Sequence, residues 1–255
     1  MSGTDVADAG GVAGVAAAAA ADAGVSGDGL DALLVCLQLT DSAFPSGFYT
    51  LSHGLEGYAQ AKAVTPDTLP ALLADLLRHG VGPSDATALV LAHRAATAGD
   101  WELLAETDQR LHATRLNREL RLAATRTGRQ LLDIARESVG GEALERYAAL
   151  VARKRAPGCQ AVAAGVAYAS AGVPVEQAVT SDLFAFCASF VGAALRLRLT
   201  DHRQAQVVLR AASPVIREVV SAALARDLAD LGGCVPVADV MSGRHERAEA
   251  RLFMS

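Results

Sequence analysis

The first place to look for chemistry is the stretch PSGFYTLSHGLE, residues 45–56, which holds His53 and Glu56 three positions apart. On a helix that spacing sets an imidazole and a carboxylate on one face, one turn apart, where they could touch a passing cation weakly. A second group closes the chain: Arg244, His245, Glu246, Arg251, Leu252 and Phe253 follow a Gly-Gly pair and Pro236. An arginine-rich, aromatic-tipped segment of this kind has the composition of a binding anchor that folds on a partner; the competing reading is a frayed, charged terminus. The other histidines, His79, His93, His112 and His202, are scattered without metal-ligand spacing. There is no G-x-x-x-x-G-K-[ST] to cradle a nucleotide, no H-E-x-x-H, no G-x-S-x-G and no Glu-x-x-His pair. The chain is therefore not itself a P-loop GTPase, and an enzyme is disfavoured.

The elements that would carry these groups are helices. Hydrophobic residues make up 51% of the 255 positions, aromatics only 4%, and β-branched runs between turn residues are scarce. From Leu30 to about Ala229, helix-period segments follow one another, with expected breaks at TPDT, GVGPSD, AGD, VGG, APG and AGVP. The prediction is an all-α fold: one helical domain over 29–229, a disordered Ala/Gly-rich tail over 1–28, and an extended or disordered tail with a short terminal helix over 230–255.

Continuing one helix through residues 48–61 gives three faces. Phe48, Leu51, Leu55, Tyr58 and Ala59 form a core face; Thr50, Gly54, Gly57 and Ala61 form a small-residue stripe. Each interior glycine costs about 1 kcal/mol against alanine, so such a stripe implies a close neighbouring backbone. Tyr49, His53, Glu56 and Gln60 remain as a polar strip beside the Pro45-Ser46-Gly47 turn, either solvated or a protein or ligand contact. A second helix, LHATRLNRELRLAATRTGRQLLDIARES, sets Leu116, Leu120, Ala123, Thr127, Leu131 and Ile134 opposite Arg115, Arg118, Arg126, Arg129 and Arg136. Glu119, Asp133 and Glu137 fall beside these arginines, so the face is either ion-paired with itself or a docking surface for anionic groups.

A formal charge of −5 and a pI near 5.7 oppose a general nucleic-acid binder. Cys36, Cys159, Cys187 and Cys234 are far apart and read as reduced thiols in the cytosol. The first basic residue is Lys62, so the N-terminal apolar stretch lacks the charged start of a signal peptide. The longest later apolar run, LFAFCASFVGAALRL, falls short of the roughly 20 residues that span a bilayer.

Taken together, four segments resemble the urease accessory protein F (UreF) family. They are LQLTDSAFPSGFYTLSHGLE, with its Pro45-x-Gly47 turn and Ser52-x-Gly54-Leu55-Glu56 close; NRELRLAATRTGRQLL; SDLFAFCASFVGAALRL; and RHERAEARLFMS. Their order and spacing match across residues 30–255. The chain departs from the family pattern in having one glycine after Pro45, Gly243 before Arg-His-Glu, and RKRAPGCQ where the central loop often carries a histidine. The resemblance implies a dimeric, non-catalytic, cytoplasmic protein that binds urease accessory protein D (H in some species) and the GTPase accessory protein G, and brings them to apo-urease. It implies no permanently bound cofactor, nickel and GTP being handled by partners, and neither nucleic acid nor membrane as a partner. It also places the signature near the centre of the complex and orders the tail against accessory protein D, which marks Pro45, Gly47, Tyr49, Ser52, His53, Gly54, Glu56, Gln60 and the tail residues as partner-binding. Arg115, Arg118, Arg126 and Arg129 join them as the candidate face for docking an anionic partner. No permanent metal ligand is expected, with His53 as the one candidate for transient nickel contact. The rival readings are a direct nickel chaperone, a helical metalloenzyme and an unrelated helical regulator.

Overall fold

Helix α8, Gln160–Ser170, lies at the centre, and most of its residues are buried. Its alanines and Gly165 are the reason: a Cβ at Gly165 would stand 2.6 Å from the Leu89 carbonyl oxygen, so α8 and α4 (Thr87–Ala98) cross almost backbone to backbone. The computed structural model describes residues 27–248 and 251–253. The expected 1–28 tail therefore lies almost wholly outside the described residues. The short N-terminal unit, up to Asp31, is represented by the first turn of α1 (Gly27–Thr40).

The body, Ala32–Ser255, is all-α, and no strand occurs among the described residues. Around α8 and α4 pack α5 (Trp101–Thr114), α6 (Arg118–Ser138), α7 (Glu142–Ala152) and α9 (Val175–Arg196). Helices α10 (His202–Ala211) and α11 (Ser213–Ala225) cover α9. The short α2 (Leu55–Gln60) and α3 (Leu69–Asp75) precede the core, and α12 (Pro236–His245) returns onto α2 and α6. Starts follow from capping chemistry: Asp100, Asn117 and Asp201 side chains accept first-turn amides of α5, α6 and α10. Helix α9 is long and apolar enough to cross a membrane, with mean hydropathy 1.6, but half of that window is buried against neighbouring helices, as in a core helix.

One expected break does not occur. GVGPSD lies inside a π-helical stretch, Leu76–Ala86, that runs without interruption from α3 into α4. Wide winding accommodates Pro83, and hydroxyls of Ser84 and Thr87 donate to the Gly80 and Gly82 carbonyls. The Pro83 and His79 carbonyls instead accept the amides of Gly232 (2.9 Å) and Cys234 (2.9 Å). The segment leading into α12 is thereby laced to the body.

Candidate functional site

The signature is not one helix. Gly47 (φ +81°) starts a 3-10 turn over Phe48–Thr50, and His53 (φ +54°) and Gly54 (φ +84°) are both left-handed, so α2 begins only at Leu55. The periodicity argument fails here because it assumes helical backbone through two residues that leave the helical region. His53 and Glu56 consequently do not share a helix face. The His53 ring packs between Phe48 (5.0 Å) and Phe186 (4.5 Å), with Nε2 2.9 Å from Ser189 Oγ. Burial lowers its pKa to about 3, the nearby Asp85 opposing that and Arg196 adding to it. This is the setting of a neutral ring.

Glu56 turns the other way and is 3% exposed. A lone carboxylate so buried would be prohibitively unfavourable, and here it accepts a full set of donors. His245 Nε2 stands 2.8 Å from Oε2, Phe253 N donates to Oε2 at 3.0 Å, and Leu252 N donates to Oε1 at 2.8 Å. The other ring nitrogen of His245 lies 3.2 Å from Glu119 Oε2, and Arg251 donates to Glu119 Oε1 at 3.2 Å. A ring carrying hydrogens on both nitrogens satisfies both carboxylates at once. Phe253 is buried, and Arg196, at the end of α9, lies over its ring (4.3 Å) and over Tyr49 (3.9 Å). Signature and tail thus form one junction.

The small-residue stripe is explained in part. A Cβ at Gly57 would meet the Met241 carbonyl oxygen at 2.6 Å, so α12 is the close neighbour that the glycine admits, whereas a Cβ at Gly54 meets nothing and its requirement is conformational. Where an extended or disordered tail with a short terminal helix is expected, residues 236–245 are helical and the last described residues are seated on α2. Beneath this cover is a cavity of about 180 Å³, lined by His53, Asp85, Arg115, Gln160, Asp182 and Asp239 among others. Asp182 is held there with its pKa raised to about 6 by burial, against the opposing hydrogen bond from Gln160.

A family model described as UreF matches residues 63–213. The urease accessory protein UreF of Kocuria rhizophila is 34% identical over 234 residues, spanning 89% of this chain and 98% of that protein. That of Bradyrhizobium diazoefficiens is 36% identical over 214 residues, 84% of this chain and 87% of its own, and UreF 2 of Brucella abortus is 28% identical over 227 residues. The chain belongs to the UreF family of urease accessory proteins. Its Glu56–His245–Glu119 junction brings a segment before the span of the UreF model and one after it onto Glu119, which lies within that span.

The remaining residues singled out by sequence separate into two groups. Ser52 is buried and its hydroxyl accepts the Glu56 amide at 3.4 Å; Gln60 is exposed and donates to Glu56 at 3.5 Å. Pro45, Arg244 and Leu252 are exposed and Glu246 is half-buried. Arg115 is not on the arginine helix at all: it sits between α5 and α6 and pairs with Asp85 of the π-helical stretch. Leu116, taken as core, is 67% exposed for the same reason. Arg118, Arg126 and Arg129 are exposed on α6, with Arg129 donating to the Pro157 carbonyl. Arg136 pairs with Glu145 of α7, not with a neighbour on its own helix. Glu119 is the clearest member of the junction misread from sequence; only the tail's arrival from 126 positions away distinguishes it from a surface pair partner. Among the described residues no group of three or more His, Cys, Asp or Glu side chains is placed to hold a metal ion.

Proposed function

We propose that this chain acts without chemistry of its own, as a cytoplasmic scaffold that assembles with urease accessory protein D (H in some species) and the GTPase accessory protein G on apo-urease, so that the partners insert nickel. The observation that carries this reading is the tail–signature junction in a chain of the UreF family: two carboxylates, one histidine and two backbone amides seat the terminus on the signature. The docked tail keeps an outward face of Val237, Val240, Arg244, Arg247 and Leu252, exposed apolar and cationic groups suited to a protein partner. Accessory protein D is assigned to this face. A second copy of the chain is assigned to α1, whose Leu33, Leu34 and Leu37 are exposed along one side.

The test is coexpression of tagged full-length protein with accessory proteins D and G and apo-urease, with urease activity read after nickel and GTP are added. A stable complex needed for activation is expected, and deletion of residues 244–255 should abolish copurification with accessory protein D while the helical circular dichroism persists. Copurification undiminished by that deletion would overturn the assignment. Light scattering of Leu34→Glu should report a monomer where the parent is a dimer.

A further inference from the structure

We infer that the loop Arg153-Lys154-Arg155, with Arg129 of α6 beside it, is a docking site for a carboxylate-rich segment of a partner protein. The inference rests on this loop and not on the urease reading.

The loop backbone is fixed on every side. Amides of Arg153, Lys154 and Arg155 donate to the Ala149, Val151 and Leu150 carbonyls at 3.1, 3.0 and 2.9 Å. Gln109 donates to the Arg155 carbonyl at 2.6 Å, and Arg129 donates twice to that of Pro157. Amides of Gly158 and Cys159 are held by Asp108 at 2.7 and 3.0 Å. Gly128 lies so close beneath that a Cβ there would stand 2.2 Å from the Gly158 oxygen. Ala156 and Cys159 are buried, while the side chains of residues 153, 154 and 155 are all exposed. The fold thus uses the backbone of this loop and makes little use of its charges. Arg155 meets Glu102 at 3.3 Å, across a largely exposed pair, and neither Arg153 nor Lys154 has an ion-pair partner among the described residues.

Three consecutive like charges held rigidly repel one another, and a chain of net charge −5 does not need them for solubility. Their electrostatic complement is an acidic surface on another molecule. A preorganised loop backbone spares the cost of ordering the loop and leaves only that of its exposed side chains. The cationic cluster is short and sits on an acidic body, which favours a few protein carboxylates over the extended phosphate track of a nucleic acid.

The experiment uses the full-length chain and a fluorescein-labelled, ten-residue glutamate-rich peptide, followed by anisotropy. Saturable binding is expected at low ionic strength, weakening roughly tenfold by physiological salt. Arg153→Glu with Lys154→Glu should weaken it by about tenfold or more, as should the milder Arg153→Gln with Lys154→Asn, whose asparagine tolerates the left-handed backbone at 154 (φ +59°). Charge reversal at the exposed Arg203 and Arg210 of α10 should leave binding unchanged. Absence of saturable binding, equal loss in the α10 variant, or tighter binding of duplex DNA than of the peptide would each overturn the proposal.

Discussion

Two buried carboxylates do the same job at different places with different consequences. Asp108 accepts the amides of Gly158 and Cys159 and the hydroxyl of Tyr147 at 2.8 Å; Glu56 accepts the amides of Leu252 and Phe253 and a nitrogen of His245. Each pins two consecutive backbone amides and one side chain from far along the chain. Asp108 pins an internal loop that continues directly into the central helix α8, so nothing can leave without opening the core. Glu56 pins the segment after α12, which leads into no further helix among the described residues. Burial, seconded by the Asp108 charge, pushes the Tyr147 hydroxyl well above its ordinary pKa, a neutral donor locked in place, whereas His245 is shared with a second carboxylate, Glu119. The contrast predicts that the first device acts as a permanent rivet and the second as a releasable clasp.

The largest effect that tests this contrast is Asp108→Ala. It strands two buried amides and a buried phenol, each worth about 1–2 kcal/mol, so a loss of about 3–6 kcal/mol in urea unfolding is expected, with the whole body failing cooperatively. A loss below about 1 kcal/mol would show that the loop finds other partners and that the rivet is no rivet.

How much of this could be read from sequence follows from the range of each interaction. The helices of the body were legible because periodicity and capping are local, as at Asp100, which caps α5 at the expected AGD break, whereas the caps at Asn117 and Asp201 fall where no break is expected. The signature misled because His53 and Gly54 are left-handed, and composition does not show where a histidine will take that conformation. GVGPSD misled because the compensating hydroxyls and the wide π winding are properties of the folded backbone. Within the site, Glu56, His245, Arg251 and Phe253 were recognisable as residue types, but their meeting was not: Glu56 and His245 are 189 positions apart. Asp108 and Glu119 gave no signal, since an acid on an amphipathic helix looks alike whether it faces water or a strap that arrives later.

A middle-sized effect is expected at the clasp. Glu56→Ala removes the acceptor of the Leu252 and Phe253 amides, and amide exchange over residues 236–253 should accelerate by about tenfold, with a matching loss of about 1–2 kcal/mol in global stability, short of that expected for Asp108→Ala. Gly57→Ala should give the same signature by a different route, since its Cβ would displace the Met241 carbonyl from 2.6 Å. If either variant instead unfolded the body as Asp108→Ala does, tail and core would be one cooperative unit and the contrast would collapse.

The smallest effect sharpens the comparison by pH. His53 lies in the signature yet belongs energetically to the rigid body: burial lowers its pKa from 6.5 to about 3. The unfolded chain therefore binds a proton below pH 6.5 that the folded chain refuses, and stability is lost as pH falls from 6.5 toward 3, by at most about 1.4 kcal/mol per pH unit. Asp182 acts in the opposite sense, because burial raises it from 3.8 to about 6 and its contribution, present below pH 3.8, is lost as pH rises through 6. The two partly cancel between pH 4 and 6, so neither is visible in the parent curve alone. His53→Asn, which keeps a side chain able to bond Ser189 and to adopt a left-handed backbone, should flatten the acid limb; Asp182→Asn, which keeps the acceptor for Gln160, should raise stability at pH 7 by about 1–3 kcal/mol. Urea midpoints measured from pH 4 to 8 decide it. Unchanged slopes in both variants would mean that neither group sits in the enclosed setting that separates the body from its clasp.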